Sequence, residues 1–199
     1  MNIFIIGLPK SGKTTVAEAL CKNSKFEYID SVSWIKVTFR PQKENEHDQQ
    51  YEESFHQYLV NRLKIDPMLG SKNIQATMAS YDYSFEFVID GIISPKDFIH
   101  LFNYNEDIVV FLNRVNNEDT CRDYQNIAVS VIRDYCFWMA SIGLLDKKRW
   151  IEYNFKIPGE ESNDIKVLGS KNSVYLVKSL NKAISHLKEK IINLQDLQS

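Results

Sequence analysis

The stretch Gly7-Leu8-Pro9-Lys10-Ser11-Gly12-Lys13-Thr14 fills every fixed position of the pattern G-x-x-x-x-G-K-[ST]. It follows Ile3-Phe4-Ile5-Ile6, an apolar run that predicts one buried strand, and it precedes a segment with Val16 and Leu20 four apart, as on a core-facing helix. A strand, a glycine loop and a helix in that order make a phosphate-binding loop. Small residues at Gly7 and Gly12 let the backbone approach an anion, consecutive N–H groups converge on it, and the helix adds the positive end of its dipole. Lys13 is placed to reach the outer phosphates and the Thr14 hydroxyl to ligate Mg²⁺. Pro9, Lys10, Ser11 and Thr15 complete the expected cofactor-binding set.

The 199 residues, 44% of them hydrophobic, suffice for one domain with a real core. A net charge of −2 does not indicate a nucleic-acid scaffold, although a balanced total leaves room for a local basic patch. No signal-peptide pattern and no membrane-length apolar run is present, so a cytoplasmic protein is expected. Cys21, Cys121 and Cys136 form neither a close pair nor a metal spacing, and His47, His56, His100 and His186 are scattered. Reduced, buried thiols are expected. A homodimer is compatible with the sequence, which does not settle the oligomeric state.

Outward from the loop, apolar runs and helical stretches alternate, as a parallel sheet covered by helices requires. Strands are expected at Asn2 to Ile6, Phe26 to Ile29, Phe85 to Ile89 and Ile108 to Leu112, and a fifth at Val174-Tyr175-Leu176-Val177. Helices are expected from Ser31 toward Arg40, stopped by Pro41; through Phe55, Tyr58, Leu59 and Leu63; after Pro67; from about Glu118 to Leu145; and after Ser179, read as a cap. In the long helix, Ile127, Val131, Tyr135 and Met139 recur four apart and predict a buried face. Tyr81, Tyr83, Phe85 and Phe87 alternate, as core packing on one strand face would have it. The acidic, glycine-bearing stretch between Ile157 and Asn172 reads as a loop or flap.

Together, Gly7 to Thr14, Tyr28-Ile29-Asp30 before a helix ending in Arg40, Val88-Ile89-Asp90-Gly91, the strand ending Phe111-Leu112-Asn113-Arg114, and a closing strand and helix resemble the P-loop kinases of the nucleoside monophosphate kinase group. The adenylate-kinase-like and dephospho-coenzyme-A-kinase-like members are the most similar. The resemblance implies a three-layer α/β/α P-loop NTPase fold with a five-stranded parallel sheet. It also implies one kinase-like domain over residues 1–199, with a helical acceptor-binding insertion at about 31–80 and a lid-like region at about 115–172. The implied activity is transfer of the γ-phosphate of ATP, with Mg²⁺, to a small acceptor, a (deoxy)nucleoside monophosphate first among them. A nucleotide-binding regulatory protein without efficient transfer is the alternative.

Carried over by position, the resemblance puts Asp90 beside the loop, on Mg²⁺ or the acceptor, with Gly91 next to it. The plainer reading of Asp90-Gly91 is a turn at a strand end. Asp30 would orient or deprotonate the acceptor hydroxyl, and either it or Ser31 could instead only cap the next helix. Arg40 would hold an acceptor phosphate or, otherwise, complement a helix C-terminus. Arg114, Arg122 and Arg133 are the candidates for the transferring phosphate, with acid pairing on a solvated face as the alternative. The sequence departs from a related D-G-I-R-x-P stretch in having Ile93 where that stretch has arginine. Lys147-Lys148-Arg149 reads as a solvated basic cluster at a helix end.

Overall fold

A computed structural model of the chain describes residues 1–8, 11–82, 84–91, 94–114, 124–155 and 171–196. The elements run β1 (Ile3–Gly7), α1 (Lys13–Cys21), β2 (Phe26–Asp30), α2 (Ser33–Thr38), α3 (Asp48–Ile65), α4 (Leu69–Ala79), β3 (Glu86–Asp90), α5 (Pro95–Leu101), β4 (Ile108–Arg114), α6 (Tyr124–Ser141), β5 (Trp150–Phe155) and α7 (Lys171–Asp196). Five parallel strands form one sheet in the order β2-β3-β1-β4-β5. The class is α/β, as expected from the alternation of elements.

Both sheet faces are covered, which is why the inner strands read as continuous apolar runs. On one face Ile3, Ile5, Val88, Val110 and Leu112 pack with Val16, Ala17 and Leu20 of α1 and with Leu180, Ala183 and Leu187 of α7. On the other, Phe4, Ile89, Val109 and Phe111 meet Phe98 and Phe102 of the α5 region and Ile132, Cys136 and Met139 of α6. A third cluster, Ile35, Phe55, Leu59, Leu63 and Leu69, holds α2, α3 and α4 together. These three helices occupy the segment expected as a helical insertion.

The chain leaves β1 to build β2 and β3 on one side, then crosses over to build β4 and β5 on the other. Adjacent connections therefore diverge at the carboxyl end of β1, opening a crevice where ligands bind in sheets of this kind. Gly7, the last residue of β1, stands at that point. The glycine loop thus lies where the topology makes room for a ligand.

Several expectations are corrected. The fifth strand is Trp150–Phe155, and Val174 to Val177 lie within helix α7. Four apolar residues in a row do not distinguish a strand from a buried helical turn. At the sheet edge, Glu152 and Asn154 interrupt the apolar pattern that would have revealed β5. Ser179 is accordingly inside α7 and caps nothing. Within the region expected to be lid-like, Tyr124–Ser141 forms α6 and Trp150–Phe155 forms β5.

Among the described residues the long helix covers Tyr124–Ser141, ending before the expected Leu145, and only part of its expected face is turned inward. Ala128, Ile132, Cys136, Met139 and Ala140 are buried, whereas Ile127 and Val131 are exposed. Of the expected face, Met139 is buried and Tyr135 packs against the core, while Ile127 and Val131 lie on a second, outward apolar stripe of the same helix. Likewise α2 spans only Ser33–Thr38, ending before Arg40. Of the aromatic series, Phe87 alone lies within β3; Tyr81 and Phe85 are rim residues, with Tyr81 meeting both phenylalanines edge-on, and Tyr83 lies outside the described residues. Lys147–Arg149 form a single 3-10 turn leading into β5, begun by Asp146, whose side chain accepts from the Lys148 N–H.

Candidate functional site

The site is built at the ends of β1, β2 and β3, where α1 begins. A Cβ on Gly7 would lie 2.4 Å from the Leu112 carbonyl oxygen and 2.7 Å from Ser11 Oγ, so only glycine lets β1 turn this close to β4. Gly12 has φ +91°, and a side chain there would also strike Leu180 of α7 at 2.7 Å. Both glycines of the pattern are therefore required by the packing of the loop itself. Ser11 Oγ is buried and without a hydrogen-bond partner among the described residues, leaving a hydroxyl in the loop available to a ligand. Pro9 and Lys10 lie outside the described residues, and Thr15 is exposed on the first turn of α1.

Parallel register does the rest. Asp30 of β2 pairs with Asp90 of β3, and Asp90 pairs in turn with Ile5 of β1. Two carboxylates from positions 60 apart in the chain are thereby placed beside one another at the strand ends. The Thr14 hydroxyl donates to Asp90 Oδ2 at 2.8 Å, joining the start of α1 to the end of β3. Tyr28, two residues before Asp30 and on the same strand face, donates its hydroxyl to the same oxygen at 3.4 Å. Asp90 Oδ1 is buried and has no hydrogen-bond partner among the described residues.

Lys13 lies partly buried in the same place and donates Nζ to the Leu8 carbonyl oxygen at 3.0 Å. Burial lowers its pKa, opposed by the nearby Asp90 and Asp30 carboxylates. For Asp90 the direction is reversed: burial raises its pKa, opposed by Lys13 and by the Thr14 hydrogen bond. Burial also raises the Tyr28 hydroxyl above its usual range, with both carboxylates adding to the effect. Two opposite charges thus share a poorly solvated site, each disfavoured alone and each supporting the other.

The donors suit a hard divalent cation. Thr14 and Asp90 present two oxygens 2.8 Å apart, and the second Asp90 oxygen lacks a partner. Among the described residues there is no cluster of His, Cys, Asp and Glu that would hold a metal by protein ligands alone. Such a set fits Mg²⁺, which keeps several waters and shares its shell with phosphate oxygens.

Asp30 accepts from the Val32 N–H at 2.8 Å and the Ser33 hydroxyl at 2.5 Å, so it orders the turn into α2 while standing next to Asp90. The Ser31 N–H donates to the Asp90 carbonyl at 3.0 Å, and Asn73 of α4 donates to the Ser31 carbonyl at 3.2 Å. Gly91, half-buried, follows directly after Asp90. The segment of α2 to α4 is tied to the site through this turn.

Two of the expected arginines are paired with acids. Arg40 makes a bidentate pair with Glu46, at 2.7 and 2.5 Å, and lies over the Phe39 and Tyr51 rings. Its hydrogen bonds hold Glu46 down to about 2. Arg133 pairs with Glu152 at 3.0 Å and links α6 to β5. Both guanidiniums are thus engaged by carboxylates of their own neighbourhood. Arg122 and the side chain of Arg114 lie outside what is described.

Beside the loop, a groove of about 530 Å³ opens between β5 and α7, lined by Tyr153, Asn154, Ser179, Lys182, Ala183 and His186. Ser179 adjoins Leu180, the residue against Gly12, so the groove flanks the loop. Tyr153 Oη and His186 Nδ1 are 2.8 Å apart, and Asn113 donates to Asn154 at 2.8 Å across the neighbouring strand ends. The sequence reading missed Tyr28 and this groove. The period-two relation of Tyr28 to Asp30, and the spacing of Ser179, Lys182 and His186 along one helical face, were the available signals.

No protein-family model matches the chain, and no curated protein is significantly similar to it. The two thiols described are free, Cys136 buried and Cys21 half-buried, with burial raising them to about 12 and about 11. No described helix is long and apolar enough to cross a membrane.

Proposed function

We propose that the chain is a P-loop NTPase-fold phosphotransferase that binds ATP with Mg²⁺ and passes the γ-phosphoryl group to a small acceptor. The observation that carries this reading is the Thr14 hydroxyl on Asp90 at 2.8 Å, with Lys13 alongside. A threonine following the loop lysine and a carboxylate at the end of a neighbouring strand are the two parts that P-loop enzymes use for magnesium. The bound cation neutralises charge on the outer phosphates.

The chain supplies the remaining functions. Loop N–H groups and the Ser11 hydroxyl receive the phosphates, and Lys13 exchanges the Leu8 carbonyl for a phosphate oxygen. The groove between β5 and α7, at about 530 Å³, is of the size that takes the nucleoside end of the donor. The acceptor side is the turn from Asp30 through α4. There Asp30 orients the attacking hydroxyl, and a (deoxy)nucleoside monophosphate is the leading acceptor class.

A second reading is a nucleotide-binding regulatory protein. It is favoured by the engagement of Arg40 and Arg133 with Glu46 and Glu152, which leaves neither free for the transferring phosphate. One experiment separates the two. The protein is incubated with γ-labelled ATP, Mg²⁺ and a pooled panel of nucleotides and small metabolites, and labelled products are identified. A labelled acceptor that disappears with Lys13→Ala supports the kinase; saturable Mg·ATP binding with no labelled product supports the regulatory protein.

A further inference from the structure

The outer stripe of α6 is the largest feature that the candidate site leaves unexplained. Ile127, Val131, Trp138 and Ile142 are exposed by 58, 44, 52 and 51%. At about 100° per residue the first three and Ile142, just past the helix end, fall within one narrow arc of the helix, centred away from buried Ile132, Cys136 and Met139. Side chains of this size with these exposures present roughly 450 Å² of apolar surface in a single line. Scattered exposed hydrophobics need no explanation, but a continuous line of them does.

We propose that this stripe is the contact surface of a homodimer in which α6 packs antiparallel against α6 of a second copy. A standard interface buries about 800 Å² per partner, a little over half of it apolar. The stripe supplies that apolar fraction with little to spare. Its residue order is also self-complementary under a two-fold axis crossing the helix between Asp134 and Tyr135. Ile127 then faces the partner subunit's Ile142, and small Val131 faces the large ring of the partner subunit's Trp138. At the axis Asp134 meets the partner subunit's Tyr135, whose hydroxyl is a donor for the carboxylate.

Three further features agree with an antiparallel pair. Tyr135 is stacked on Trp138, ring centroids 6.0 Å apart, so the largest apolar anchor is already fixed before contact. Exposed Ser130 and Ser141 flank the stripe as small residues that allow close approach of two helices. The helix dipoles of an antiparallel pair attract rather than repel. A parallel arrangement would instead stack Trp138 on Trp138 and set Asp134 against Asp134.

Sedimentation velocity of the full chain at about 20 µM tests the proposal. The wild type should sediment at twice 23.2 kDa, and Trp138→Glu should weaken association at least a hundredfold. Because a charge on α6 can also disturb folding, Val131→Lys is measured in parallel, with circular dichroism to confirm native helix content. Geometry is checked with Ile127→Cys/Ile142→Cys in one chain: oxidation should give an intermolecular disulfide joining positions 127 and 142, mapped by peptide mass so that native thiols are told apart. A monomeric wild type, a dimer untouched by folded Trp138→Glu or Val131→Lys, or links joining 127 only to 127 would each overturn the proposal.

Discussion

The Thr14 hydroxyl and the Asp90 carboxylate meet at 2.8 Å although 76 positions separate them in the chain. The contact exists because β3 lies directly beside β1, with Asp90 in register with Ile5. Helix α1 then starts over the end of β3 rather than over solvent. One hydrogen bond thereby joins the helix that follows the glycine loop to the carboxylate at the end of β3.

Lys13 is the residue whose loss should be most severe. Its ammonium is the one positive charge within reach of Asp90 and Asp30 in the described site. Removing a preorganised charge from a poorly solvated site reduces turnover on the order of a thousandfold. Lys13→Ala should therefore abolish both phosphotransfer and the rise in melting temperature produced by Mg·ATP. Retention of wild-type turnover would sink the kinase reading.

Asp90→Asn should separate stability from function. Burial raises the Asp90 pKa, so the folded state binds its proton more tightly than the unfolded state does. As pH climbs from 3.8 through the raised value, this group subtracts stability, and the loss is complete above it. At neutral pH, ligand-free Asp90→Asn should melt higher than wild type, by about 2–4 °C for each kcal/mol relieved. The difference between the two proteins should shrink on acidification. Mg²⁺-dependent stabilisation by ATP should be lost in the same variant.

Arg133 and Arg40 distinguish a structural from a catalytic role. Arg133 is half-exposed and paired with Glu152, so Arg133→Ala should cost about 0.2–1 kcal/mol and leave kcat within about threefold. A hundredfold fall in kcat would place this arginine at the transition state instead. For Arg40, removal should let the Glu46 pKa return from about 2 toward 4.5, read by NMR titration. The stabilisation that Glu46 draws from this pair is present above pH 4.5 and is lost as pH falls toward 2.

Gly12→Ala tests the loop as a packed object. The residue has φ +91°, and an added Cβ would come within 2.7 Å of the Leu180 side chain. Strain of this kind amounts to about 1–3 kcal/mol. Leu180→Ala in the same chain should recover the steric part and leave the backbone part, so the two changes should be non-additive in denaturant titrations.

What was legible in the sequence was local. Four consecutive apolar residues before Gly7, the fixed residues of the loop and the Val16–Leu20 stripe specify a strand, a turn and a helix from steric and burial preferences alone. The ends of the strands were legible at Asp30 and Asp90 for the same reason, since an apolar run broken by an acid must leave the core there. The α6 face was legible only in part, at Tyr135 and Met139, because two stripes of similar hydrophobicity share one helix. Only the sheet beneath it determines which stripe is buried. Strand β5 was hidden for a related reason: an edge strand can carry Glu152 and Asn154 where a central strand cannot.

By itself the sequence determined the strand–glycine loop–helix unit and the α/β class, because both follow from spacing within short stretches of chain. Tertiary structure alone decided the partners of those stretches. Parallel register placed Asp30 against Asp90 and Thr14 against Asp90, while packing took Arg40 to Glu46 and Arg133 to Glu152. Charges of one sign are interchangeable along a sequence, and only the fold fixes which opposite charge lies within hydrogen-bonding distance of each.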